Sequence, residues 1–379
     1  MVRIPDMSKK IKILFFHFDL GNGGAEKVLV NLVNNLPRQK YEVTLKPLFD
    51  YGPNKDFIEP HIHYSPVFKC APFRGVSPLL EIFTPKFLHK LFIREHFDVE
   101  IGFREGLPNR IISGCCDKNT KKFGWIHLAL NEKRKATQGF RSMRELRECH
   151  TRFNATAAVS DYASDIFKSY FKGLGHKVIT VHNVVERDKI IRLSKEHINL
   201  VLDHKVINLC SVGRLTAQKS YDRLLRALFN LKQHGYKNFH LYLLGKGELR
   251  HDLECICHSL GLNNYVTFLG YDVNPYKYVA KMDLFVCSSL NEGYSTAVTE
   301  SIIVGTPVLT TDCSGMAEIL GEQASGMIVE NTQEALTEGL LNVFSDPAVL
   351  SVMKRRAEKR SKYFSVERAL AEFENFISQ

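Results

Sequence analysis

Short apolar runs alternate along this chain with stretches whose apolar positions recur at helical spacing. Lys12–Phe16, Tyr41–Leu48, Val99–Phe103, Phe123–Ile126, Ala155–Val159 and Val178–Val181 have the length and composition of buried strands. Between the first two, Val28, Leu29, Leu32, Val33 and Leu36 mark a helix that Pro37 closes. A polar stretch, Asn183–Lys205, interrupts the pattern, which restarts with strands at Val206–Val212, Phe239–Leu244, Val266–Leu269, Leu284–Cys287, Val308–Thr311 and Met327–Val329. Helical patterns lie between them, and two more, Ala348–Tyr363 and Val366–Ile377, form the tail. Strand and helix alternate throughout, which predicts an α/β chain of two Rossmann-like, doubly wound domains. The expected division is a first domain at 1–183, a connection at 184–204, a second domain at 205–347, and C-terminal helices at 348–379 that pack back toward the first domain.

The length of 379 residues agrees with two domains, because single cores seldom grow past about 250–300 residues. Hydrophobic content of 44% and charged content of 24% are those of a globular protein. The first apolar run is too short for a signal peptide or a membrane span, and the expectation is a cytoplasmic protein. Nine scattered cysteines lack ligand pairs at metal-binding spacing, so they are expected to be reduced thiols, with no metal site. Charge changes the picture more. Residues 1–190 carry 31 Lys and Arg against 20 Asp and Glu, a balance of +11, whereas 191–379 carry 20 against 21. Two basic amphipathic segments, Lys86–Phe97 and 133–153, contribute to that excess. They point to an anionic membrane surface, with the protein peripheral on the inner face of the cell membrane. No RNA-binding motif accompanies them, so nucleic acid is not expected as a partner.

The candidate chemistry centres on Ser289–Glu300. Glu292 and Glu300 stand eight positions apart, with a glycine and small hydroxylated residues between them. A helix starting near Ser295 would aim several unpaired backbone N–H groups into one pocket with a carboxylate on each side. Arg214 and Lys219 flank another strand-to-helix loop, where two cations can meet a diphosphate. In the first half, the loop from Gly21 to Glu26 carries Gly23 and Gly24, which let the backbone approach a phosphate or sugar. Glu26 occupies the sixth position, where the dinucleotide fingerprint needs glycine.

Gly213-Arg214-Leu215 with Lys219, Gly245-Lys246-Gly247, Phe268-Leu269-Gly270-Tyr271, Glu292-Gly293 with Glu300, and Gly305-Thr306-Pro307 occur in an order that resembles the retaining glycosyltransferases of family four. The first half matches more thinly, through Gly23-Gly24-Ala25-Glu26 and Trp125-Ile126-His127. The resemblance implies the GT-B fold, two Rossmann-like domains facing across a cleft. It implies transfer of a sugar from a nucleotide sugar, UDP by family frequency, to a glycan or lipid-linked acceptor with retention of configuration. Such a hexosyl or N-acetylhexosaminyl transferase would serve cell-surface polysaccharide or glycoconjugate assembly. Catalytic roles would fall to Glu292, His127, Arg214 and Lys219. Donor contacts would fall to Gly23, Gly24, Gly245, Gly270, Tyr271, Gly293, Tyr294, Ser295, Thr296 and Glu300, with no metal. Cations replace a metal in the family, and no Asp-x-Asp motif occurs here. Three departures bear on donor choice: Ser220 in place of a glycine after the lysine, Ser301-Ile302-Ile303 in place of small residues, and Tyr294-Ser295-Thr296 in place of a Phe-Gly pair. The competing readings are a sugar-nucleotide epimerase or phosphorylase of the same fold, and a polyanion-binding module.

Overall fold

A computed structural model describes residues 10–172, 176–322 and 325–379. The chain forms two compact units, Met1–Val185 with Val366–Gln379, and Glu186–Ser365.

The first unit holds a parallel sheet of β1 (Ile11–His17), β2 (Tyr41–Pro47), β3 (His63–Tyr64), β4 (Val99–Gly102), β5 (Lys121–Ile126), β6 (Ala155–Ala158) and β7 (Val178–Thr180). Their order is β3-β2-β1-β4-β5-β6-β7. β1 forms because Ile13, Leu14, Phe15 and Phe16 bury both faces of one strand; all four are fully buried. The helix Val366–Ser378 belongs to this unit. Its Phe373 stacks on Phe15 at 5.9 Å, and its Phe376 meets Trp125 at 5.6 Å.

The second sheet contains β8 (Ile207–Val212), β9 (Phe239–Leu244), β10 (Val266–Gly270), β11 (Leu284–Cys287), β12 (Val308–Thr311) and β13 (Gly326–Val329), in the order β10-β9-β8-β11-β12-β13. It is also parallel. Leu209, Leu241, Leu243, Leu284 and Val286 on its strands pack with Leu224, Leu228, Leu336 and Leu340 from the helices. In each sheet the strand order reverses once, between β1 and β4 and between β8 and β11. In doubly wound sheets, ligands bind outside the carboxyl ends of the strands at that reversal.

Helix Arg187–Ser194, inside the expected connection, belongs to the second unit, where Leu193 and Glu196 accept hydrogen bonds from Asn274 at 2.9 and 2.8 Å. The tail divides. Helix Pro347–Ser361 stays with the second unit, bound by Ser361 Oγ to the Ile303 carbonyl at 2.8 Å, and only Val366–Ser378 joins the first. Lys86–Phe97 is shorter as a helix than its periodicity suggests: Thr84 caps it, and it spans Pro85–Phe92. The segment at 133–153 forms two helices, Lys133–Ala136 and Met143–His150. The two-residue edge strand β3 has no pattern to read, because His63 and Tyr64 are too few to show alternation.

Candidate functional site

In the second unit the reversal is flanked by the loop after β8 and the loop after β11, and these are built as one piece. Leu290 N–H donates to the Gln218 carbonyl at 2.8 Å, and Gln218 Nε2 donates to the Asn291 carbonyl at 2.7 Å. Ser288 Oγ donates to the Lys219 carbonyl at 2.9 Å. Lys219 Nζ closes the junction with a 2.6 Å ion pair to Glu292, whose same oxygen accepts from Ser289 Oγ at 2.6 Å. Both charges are largely buried. Burial pulls the pKa of the Lys219 ammonium down, but the Glu292 carboxylate, helped by Cys287 and Tyr221, more than compensates and leaves it above the ordinary lysine value. Lys219 therefore stays cationic, and Glu292 holds it in place.

Arg214 lies on the same loop and is exposed, and among the described residues its guanidinium has no hydrogen-bond partner. The helix Thr296–Ile303 follows the second loop, as the sequence suggests, with Ser295 as its cap. The Ser295 hydroxyl is turned to the Val298 N–H at 3.5 Å, and the Tyr294 ring is buried beside Gly315. These two side chains serve the fold, so what the triplet offers a ligand is mainly backbone plus Thr296. Glu300 lies one turn beyond Thr296, on the same helix face, and is largely buried.

The glycines mark close approaches. A Cβ on Gly245, whose φ is +146°, would stand 1.8 Å from the Gly213 carbonyl oxygen. Gly245 N–H donates to the Gly270 carbonyl at 2.7 Å, which brings the ends of β9 and β10 together. Tyr271, next in the chain, is half exposed, with Lys246 Nζ 4.9 Å from its ring centroid. It offers a free aromatic face beside the loop Gly245–Gly247.

In the first unit, Gly23 is the N-terminal flank of helix Gly24–Asn35. The Glu26 carboxylate folds back so close that a Cβ on Gly23 would stand 2.0 Å from it. Arg104, after β4, holds Glu26 at 2.9 Å. His127 follows β5. Its backbone N–H donates to the Glu105 carboxylate at 2.9 Å, and its ring Nε2 lies 3.2 Å from the Phe103 carbonyl. A carbonyl only accepts, so Nε2 carries the proton and Nδ1 is left as an acceptor. Burial lowers the His127 pKa to about 4, with Arg104 also lowering it against the pull of Glu105. The ring is neutral at physiological pH, and the Phe103 ring at 4.8 Å fixes its orientation. His17, at the end of β1, is likewise held neutral by burial and by Arg104.

The structure thus gathers Lys219, Glu292, Gly293 and Ser295 at one sheet end of the second unit; in the first it places Gly23 on the loop after β1, Gly24 at the first position of the helix that follows, and His127 just after β5. Sequence reasoning missed Arg223, which pins the carbonyls of Ser288 and Ser289 and contacts Asn331 at 2.8 Å. It also missed Gln218, Arg104 and Glu105. Each acts on a segment far away in sequence and leaves no local pattern. His89, Glu100 and Cys115 also converge, with ligand atoms within 4.8 Å. Spacing of 11 and 15 residues in sequence concealed that group.

Residues 194–360 match the family model described as glycosyl transferases group 1. A Campylobacter jejuni N-acetylgalactosaminyltransferase, acting on N-acetylgalactosamine-N,N'-diacetylbacillosaminyl-diphospho-undecaprenol, is 33% identical over 48% of this chain and 49% of its own length. The chain therefore spans about half of that relative. A lipopolysaccharide core biosynthesis glycosyltransferase of Rhizobium meliloti, LpsE, is 24% identical over 92% of this chain and 93% of its own. The crystal structure of Anabaena HepE in complex with UDP superposes with a TM-score of 0.74 at 17% identity, covering 97% of this chain and all of that one. The family match thus lies within the second unit, and the likeness to HepE is one of fold, two Rossmann-like domains.

Proposed function

We propose that this protein is a retaining glycosyltransferase that moves a sugar from a nucleotide sugar, most simply a UDP-sugar, to a glycan or lipid-linked acceptor in cell-surface glycan assembly. The observation that carries the reading is the buried Lys219–Glu292 pair at the strand-order reversal of the second unit, with Arg214 beside it. The family match over 194–360, the UDP complex of HepE and the lipid-linked substrate in the Campylobacter relative's name support the chemistry.

In this reading Arg214 and Lys219 hold the diphosphate and neutralise charge that grows on the leaving group. An arriving diphosphate competes with Glu292 for Lys219 and releases the carboxylate toward the donor sugar. Glu300 accepts from the ribose hydroxyls, the base lies on Tyr271 beside Gly270 and Gly245, and the amides of Gly293, Tyr294, Ser295 and Thr296 meet sugar hydroxyls and the β-phosphate. Taken by itself, the first unit offers backbone at Gly23 and Gly24 to a phosphate or sugar, and neutral His127 offers Nδ1 to a hydroxyl. The bond between the anomeric carbon and the β-phosphate oxygen breaks while the acceptor oxygen attacks the same face. The acceptor proton passes to the departing phosphate, so no separate base is needed. Cationic side chains do the work a metal would do.

Calorimetry with UDP, UMP and uridine, then NMR of product anomers across a panel of nucleotide sugars, tests this. Arg214→Ala and Lys219→Ala should each weaken UDP by about tenfold or more while sparing uridine, and Glu300→Gln should weaken all three ligands. A chain that binds no nucleotide sugar, or variants that bind UDP like the parent, would overturn the proposal.

A further inference from the structure

The first unit carries an apolar surface that its own core leaves uncovered. Helices Val76–Glu81 and Pro85–Phe92 follow one another, joined by residues 82–84. Leu88 and Phe92 face the core and are buried, and Leu80 and Val76 do the same from the other helix. The remaining large apolar side chains point out: Phe73, Leu79, Ile82, Phe83, Phe87 and Leu91 are between 40% and 69% exposed. Phe83, Phe87 and Leu91 follow one another at four-residue steps, so they form a stripe. The rings of Phe83 and Phe87 stack at 5.2 Å. Lys86 and Lys90 run beside it at the same pitch, and both are exposed, as are Arg74 and Arg94. Residues 69–94 carry five Lys and Arg against one acid, Glu81, a balance of +4.

The connection between the two helices is not a loose loop. The guanidinium of Arg110, fully buried, donates to the carbonyls of Leu80, Glu81 and Phe83 and pairs with Glu145 at 2.9 Å. Arg141 donates to the carbonyls of Glu81 and Ile82. The buried Arg110 and the exposed Arg141 thus both fasten the turn, and its apolar side chains are held outward. Exposed aromatic and aliphatic groups rimmed by cations match the boundary between headgroups and acyl chains of an anionic bilayer.

We propose that the segment from Phe73 to Arg94 is the membrane-docking surface of the protein, with Ile82, Phe83, Phe87 and Leu91 inserted among lipid chains and Lys86, Lys90 and Arg94 on anionic headgroups. This goes beyond the proposed sugar transfer and gives a surface to the membrane location expected from the basic first half, and vesicle binding reads it independently of any donor.

The full chain is to be sedimented with phosphatidylcholine vesicles and with vesicles containing one-third phosphatidylglycerol, at low and high salt. The parent should bind the anionic vesicles and lose much of that binding in salt. Lys86→Ser/Lys90→Ser/Arg94→Ser should weaken it by about fivefold per charge removed and flatten the salt response. Ile82→Ser/Phe83→Ser/Phe87→Ser should abolish it while the chain still unfolds cooperatively with a modestly lowered Tm, since these side chains are 40–69% exposed. In Phe83→Trp, emission from the new tryptophan should shift to the blue on adding anionic vesicles, against the buried Trp125 background. Binding by the apolar variant equal to the parent's overturns the proposal. So does failure of the parent to bind either vesicle, or a concentration-dependent dimer that the apolar variant abolishes.

Discussion

Ser220 shows how much a single backbone position contributes to this site. It directly follows Lys219 and adopts φ +48° and ψ +49°, and among the described residues it is the only non-glycine with positive φ. That left-handed turn lets the chain leave the short turn Ala217–Lys219 and enter helix Tyr221–Gln233 while Lys219 points at Glu292. A Cβ there costs on the order of 1 kcal/mol, which gives a physical reason for the glycine seen in the family at this point. Ser220→Gly should therefore fold with the same geometry and raise stability by about 0.5–1 kcal/mol, measured by urea unfolding, with UDP affinity changed less than threefold. A loss of stability would show that the Ser220 hydroxyl, 3.3 Å from Asp222, matters more than the strain. Lys219 and Glu292 were legible in the sequence because each lies in a short motif whose chemistry is local. Arg223 was not, because what it does depends on the Ser288 and Ser289 carbonyls, 65 and 66 positions away.

At the scale of elements, the strands were readable because parallel strands bury both faces and appear as unbroken apolar runs. Helix ends were less so: the run from Lys86 to Phe97 continues past Phe92 because Ile93 and Phe97 are buried beyond the helix. The element ends also hold the histidines. His17 ends β1, His127 follows β5, and His150 ends helix Met143–His150, its ring packed 4.9 Å from Phe167. Burial is the first cause that lowers the pKa of each, with Arg104 adding to it at His17 and His127, and His176 at His150. The sign follows from linkage. The unfolded chain binds these protons near pH 6.5, whereas the folded chain refuses them until lower pH, about 4 for His127, so their contribution is present above about 6.5 and is lost as pH falls through the folded values. Three such groups give a slope of up to about 4 kcal/mol per pH unit below that point. Urea titrations at pH 7.5, 6 and 5 should show stability falling steeply below 6.5, and His150→Phe should reduce the slope by about a third.

At the scale of the molecule, the chain builds the same device twice: a parallel sheet whose order reverses once, with charged loops at the reversal. Alternation of strand and helix made the repetition legible, but not the path of the tail. The last two helices look alike in sequence, as amphipathic stretches on either side of Phe364. The difference is in what their apolar residues meet. Met353 and Ala357 of the first pack within the second unit, whereas Phe373 and Phe376 of the last pack on Phe15, Phe123 and Trp125 of the first. Helix Val366–Ser378 is therefore a structural part of the first unit, and Lys121 also reaches its end, donating to the Ser378 carbonyl at 2.9 Å. Trp125 is the only tryptophan in the chain and is almost fully buried. A chain ending at Ser365 loses two fully buried phenylalanines from that core, each worth about 3–5 kcal/mol as a deletion. That sum approaches the whole stability of a domain. Its Trp125 emission should move to the red and its first unit should yield to protease, while fragments covering 194–360 persist. Unchanged emission after truncation would mean that the first sheet closes its core without the returning helix.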